Sequence, residues 1–176
     1  KGADRPSRKI RKRTNEPRGV SVKPGTYNLK MSFGDQTSES SIKVKFDPRL
    51  EMSTEAITEI YNASKDMEKD QQLMADVVKQ LVESKNTATA FKKDLTKEDK
   101  KNYKDQIKAS KDIITKIDKL IAVYIGSVDK RQGITRNPEV TVSRRYSSAR
   151  RYVGSRFGHL TTTEKQLISQ YKKALE

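Results

Sequence analysis

The sequence predicts an α+β fold that is mainly α: a β-hairpin, then an antiparallel helical hairpin and two shorter helices. Three observations predict it. Apolar and polar residues alternate strictly from Tyr27 to Phe33, the period of a strand with one buried face. After Pro48 the apolar spacing changes to three and four residues and keeps that period for most of the chain. Helix-capping patterns then punctuate the remainder.

The hairpin comes first. Tyr27, Leu29, Met31 and Phe33 alternate with polar neighbours, and Gly34-Asp35 forms a two-residue turn, because glycine accepts the positive φ that tight hairpin turns require. This loop length pairs Phe33 with Gln36 and Tyr27 with Ile42. Ile42, Val44 and Phe46 then share a face with the four apolar residues of the first strand. Two strands cannot bury such a face alone, so either the helices cover it or the sheet lacks further strands. Asp47-Pro48-Arg49 ends the hairpin, since proline donates no ladder hydrogen bond.

Ser53 or Thr54 caps a long amphipathic helix over about 54–85, with Glu55 in its first turn. Its stripe is Ile57, Ile60, Tyr61, Met67, Met74, Val77, Val78, Leu81 and Val82, with Ala63, Ser64 and Gln71 in weaker positions. The polar run 86–93 reads as the connection. Thr96 and Asp99 approximate a capping box for a second helix ending near Gly126, with Tyr103, Ile107, Ile113, Ile114, Ile117, Leu120, Ile121 and Tyr124 inward. Asn137-Pro138-Glu139 opens a third helix, in which Val142, Tyr146, Ala149 and Val153 form one stripe. Gly154 and Gly158 bracket a break. Thr161 and Glu164 then box a last helix with Leu167, Ile168, Tyr171 and Leu175 inward. The units are an extended basic arm at 1–24, the hairpin at 25–49 and a helical module at 50–176.

Charge is distributed unevenly. The 176 residues carry a formal net charge of +15, with 35% charged and 32% hydrophobic residues. Residues 1–24 hold nine Lys/Arg against two Asp/Glu, and residues 130–157 hold eight against one, whereas 25–129 balance at eighteen of each. A nucleic-acid-binding domain more often spreads its charge along one folded face. The absence of cysteine excludes disulfides, thiolate metal sites and a cysteine nucleophile. No apolar run approaches the length of a membrane span. The chain begins with lysine and shows no secretory leader, so that end does not reveal the compartment.

Little in the chain suggests catalysis. His159 is the only histidine and reads as a surface residue beside a helix cap. No GxSxG, HExxH or phosphate-loop pattern occurs. The acidic residues Asp66, Glu68, Asp70, Asp94, Glu98 and Asp99 interleave with lysines as on a solvated helix face. No catalytic, cofactor-binding or metal-binding residue is therefore assigned. The sharpest candidate is an anion or partner patch of Arg144, Arg145, Arg150, Arg151 and Arg156. At about 100° per residue, Arg144 and Arg151 lie opposite the apolar stripe and Arg145 and Arg150 flank it. The plainer reading lays these side chains along a short helix with their heads in water. Lys9 to Arg13 (KIRKR) resembles a nuclear-localisation or nucleic-acid tail, a weakly specific pattern.

Three stretches resemble one family. PGTYNLKMSFGDQTSESSIKVKFDPR is similar to the strand pair "PGTY-x-V-x-L…DG…V-x-DPR" near the C-terminus of bacterial BNR-repeat proteins. These form a sortilin (Vps10)-like β-propeller family, often labelled glycosyl hydrolase-like. The helical pair after DPR matches the same family. So does DKRQGITRNPEVTV at 129–142, which resembles its "RQGI…PEPTV" segment, and TEKQL at 163–167 matches the start of its closing helix. The resemblance implies the C-terminal part of a larger exported protein, whether periplasmic, cell-surface or secreted. The hairpin would then be the last strands of an Ig-like sandwich, and the helices an appended module. Partners would be the propeller and sandwich domains, or another protein. Arg131, Gln132, Gly133, Pro138 and Glu139 match a family motif read as a loop and helix cap. The basic arm departs from the family, where further sandwich strands are expected. The implied function is a non-catalytic structural or interaction module. A nucleic-acid-binding protein using the arm and the arginines is the alternative, and a spectator part of a glycoside hydrolase is the third reading.

Overall fold

The structure, a computed structural model, describes residues 1–10, 15–128 and 139–176. Two antiparallel strands, β1 (Gly25–Phe33) and β2 (Gln36–Val44), precede four helices: α1 (Thr54–Glu98), α2 (Lys104–Ile125), α3 (Val142–Gly154) and α4 (Thr162–Leu175). The fold is mainly helical α+β, as the periodicity indicates.

The hairpin has the expected register, with Phe33 opposite Gln36 and Tyr27 opposite Ile42. Gly34 has φ +56°, and among the described residues no non-glycine residue has a positive φ. Only the first central turn position is therefore left-handed, which is the requirement of a II′ turn. Beyond β2, Arg49 donates to both carboxylate oxygens of Asp47 at 3.0 and 2.7 Å, closing the turn at Pro48.

α1 corrects the expected boundaries. It runs unbroken through the polar stretch 86–93, and Thr96 lies inside it rather than capping a second helix. Polarity alone does not end a helix. Between Thr54 and Glu98 there is no proline or glycine. Thr87, Thr89 and Thr96 return their hydroxyls to the carbonyls of Glu83, Lys85 and Lys92. The turn lies at Asp99, whose carboxylate accepts from the N–H groups of Lys101 and Asn102 and from Asn102 Nδ2. The helices are thus of unequal length, 45 and 22 residues. α2 covers only the C-terminal half of α1, while α3 and α4 cover the rest.

Two core clusters follow from that division. Met67 and Met74 of α1 meet Val142, Tyr146, Ala149 and Val153 of α3, with Leu160 and Tyr171. Val78 and Val82 meet Ile117 and Ile121 of α2. Tyr146 and Tyr171 cross edge to face at 5.4 Å, a favoured aromatic geometry. On α2, Ile113 and Leu120 point outward, against expectation. Ser110 takes an inward place because the buried stripe steps through 107, 110, 117 and 121.

α3 starts at Val142, where Thr141 Oγ1 accepts the Arg144 N–H at 3.2 Å. The expected start at 137 is therefore too early. Asn137 and Pro138 lie outside the described residues, as do Arg131, Gln132 and Gly133. Glu139 is described and lies ahead of the helix, where its carboxylate takes the N–H and hydroxyl of Ser127. The Thr161–Glu164 box forms as expected, with Glu164 reaching back to the N–H and hydroxyl of Thr161.

The described parts of the basic arm, 1–10 and 15–24, are extended but do not project. Gln71 Nε2 donates to the carbonyls of Ala3 and Asp4, both at 2.9 Å, and Asp4 N–H donates to Gln72. Gly2 is buried and bonds Pro17, so the arm doubles back over α1. A Cβ on Gly2 would sit 2.3 Å from the Arg18 carbonyl oxygen, so only glycine fits there. Residues 19–22 form no strand. This segment borders the same cleft as Ile57, Ile60 and Tyr61 of α1.

Candidate functional site

Three surfaces emerge from this architecture. The first is the apolar face of the hairpin. Leu29, Met31 and Phe33 are 51%, 71% and 86% exposed, and Ile42 is 48% exposed. No strand side chain joins either core cluster. The helices therefore leave this face uncovered.

The second is a cleft of about 750 Å³ where the arm, the end of α2 and α3 meet. Arg5, Arg144, Arg150 and Arg151 line it, with Glu139 and Ser143. Gly126, whose φ is +84°, terminates α2 at its edge, and Arg8 donates to the Gly126 carbonyl. Beneath lies a buried polar hub. Gln71 Oε1 accepts from Tyr146 Oη at 3.0 Å and from Arg150 Nη1 at 3.1 Å. Burial pushes the Tyr146 phenol above its ordinary pKa, partly opposed by Arg150. Tyr171 is raised as well, first by burial and then by donating its proton to Asp70 at 2.7 Å.

The third surface is a more apolar cleft of about 480 Å³, bounded by Val20, Val22, Phe46, Met52, Ile57 and Phe157 among others.

The five arginines read from the sequence do not act as one patch. Arg144, Arg150 and Arg151 share the first cleft, while Arg145 is exposed and outside it. Arg156 turns away, donating Nε to the His159 carbonyl at 3.0 Å, and borders the third surface. Arg5, Ser143 and the Gln71 hub were not singled out from the sequence as parts of this site. Arg5 stands far from α3 along the chain, and no local pattern announces the contact.

His159 is a surface residue beside the α4 cap, as expected, with Nδ1 2.8 Å from Glu59 Oε2. Glu59 also pairs with Lys165 at 3.2 Å. His159 and then Lys165 hold its carboxyl below the usual range. Among the described residues, no group of three or more His, Cys, Asp or Glu is placed to hold a metal ion, and no helix is long and apolar enough to cross a membrane.

Compared with known proteins, the chain matches no family model, no curated protein and no solved structure.

Proposed function

We propose that this chain is a non-catalytic structural and interaction module, the C-terminal region of a large exported, sortilin-like BNR-repeat propeller protein. The observation that carries this reading is the uncovered hairpin face. A two-stranded sheet is marginal in water, and exposed contiguous apolar surface marks interaction sites. Here Leu29, Met31, Phe33 and Ile42 line up on one side of a well-registered ladder and stay exposed. Strands of an Ig-like sandwich would cover that side, as the order of the PGTY, DPR and RQGI stretches implies. The helices would then form a rigid appendage whose long α1 spine carries the other elements.

The coding sequence ahead of Lys1 and hydrogen exchange together provide the test. The reading expects propeller and sandwich segments upstream, and slower amide exchange of β1 and β2 in the longer protein than in this chain alone. An upstream sequence without propeller repeats sinks it. So does unchanged exchange in the hairpin when those segments are present.

A further inference from the structure

We propose that the cleft between the arm and α3 is a binding site for a small polyanion bearing phosphate or sulfate groups. Its volume of about 750 Å³ falls within the range of small-molecule sites. Four arginines and one glutamate line it, and that glutamate is already engaged by Ser127. Arg150 spends one N–H on Gln71. Arg5, Arg144 and Arg151 have no ion pair among the described residues. Folding thus brings unneutralised guanidinium groups from two distant segments to one concavity. Cations gathered in one concavity favour a bound anion.

A second, independent observation points to the same ligand class. Ser143 lines the cleft, and its buried hydroxyl has no hydrogen-bond partner. Buried polar groups are rarely left so, and a turn about the Ser143 Cα–Cβ bond would offer this hydroxyl as a donor to an oxyanion in the cleft. Thr141, Ser143 and Arg144 also bring the first turn of α3 to the cleft, adding the positive end of its dipole. The site is a concavity and not a continuous basic face. Arg145 and Arg156, which a nucleic-acid surface would recruit, are directed elsewhere.

Titration calorimetry on the full chain at physiological salt tests this, with tripolyphosphate and a sulfated disaccharide as separate probes. The expected result is saturable one-to-one binding of at least one probe, and the stronger of the two identifies the oxyanion. The double variant Arg144→Gln/Arg151→Gln should weaken it about a hundredfold, taking roughly tenfold for each charged hydrogen-bonding group. Ser143→Ala should weaken it severalfold, and Arg145→Gln should leave it within about twofold. Both arginines of the double variant are exposed, so an unchanged melting temperature verifies its fold. Several results would overturn the proposal. They are no heat from either probe, equal affinity in the double variant, an equal loss with Arg145→Gln, or duplex DNA displacing tripolyphosphate at equal phosphate concentration.

Discussion

Replacing Gln71 with leucine tests how the arm, α1 and α3 are joined. The side chain is 6% exposed and makes four hydrogen bonds: two to arm carbonyls, one from Tyr146 and one from Arg150. Leucine fills much the same volume but satisfies none of them. The arm carbonyls and the Arg150 head lie near solvent and can rehydrate, at about 0.5–1 kcal/mol net for each bond. The Tyr146 hydroxyl cannot, because that residue is 5% exposed. An orphaned buried hydroxyl costs about 1–3 kcal/mol. Leucine's own burial offsets about 1 kcal/mol. The sum is a loss of about 1.5–5 kcal/mol, which for a chain of this length lowers the melting temperature by roughly 3–20 °C. Urea denaturation followed by circular dichroism reads the loss, and limited trypsin digestion reads release of the arm. Tyr146→Phe removes the stranded hydroxyl, so the double variant should lose less than the sum of the singles, by about 1–2 kcal/mol. If Gln71→Leu alone changes stability by less than about 0.5 kcal/mol and the arm stays protected, the hub does not hold the arm.

Other outcomes follow from single contacts. Glu59 and Glu164 have carboxyls held below their ordinary range, by His159 and Lys165 and by Thr161 respectively. Each therefore favours the folded state fully above about pH 4.3 and loses that contribution as the pH falls through its lowered folded value. Glu59→Gln should flatten the acid limb of the stability profile measured by thermal melts, and an unchanged limb would contradict the pairing. Tyr146 and Tyr171 are raised, so their contribution is complete below about pH 10 and declines as the pH rises beyond it. In an ultraviolet titration these two should ionise together with alkaline unfolding. Phe33→Ser changes a side chain that is 86% exposed, so stability should move by less than about 0.5 kcal/mol. A larger loss in a urea titration would show that the hairpin face is covered.

Much of the fold is legible in the residues because its signals are local. The alternation from Tyr27 to Phe33 and the Gly34-Asp35 turn determine the hairpin and its register. The Val142–Tyr146–Ala149–Val153 stripe and the Thr161–Glu164 box likewise determine what α3 buries and where α4 starts. Each depends on backbone sterics or on groups only a few residues apart. The end of α1 is not legible in the residues because the polar run 86–93 imitates a connection. Helix propagation needs only the absence of a breaker, and the stop at Asp99 is an Asx turn.

What tertiary structure alone decided is the company these elements keep. The arm lies against Gln71 and Gln72 because two of its carbonyls and one of its amides, 67 or 68 residues away, are geometrically complementary to those side chains, a match with no trace in local pattern. Arg5 joins Arg144 and Arg151 in one cleft, while Arg145, their neighbour in sequence, does not. Helical rotation separates adjacent residues by about 100°, so the packing of a third element selects which of them converge. The hairpin face was predicted to need a cover, and the packing left it bare. The sequence determines which side chains are apolar and on which side they stand, and only packing determines whether anything reaches them.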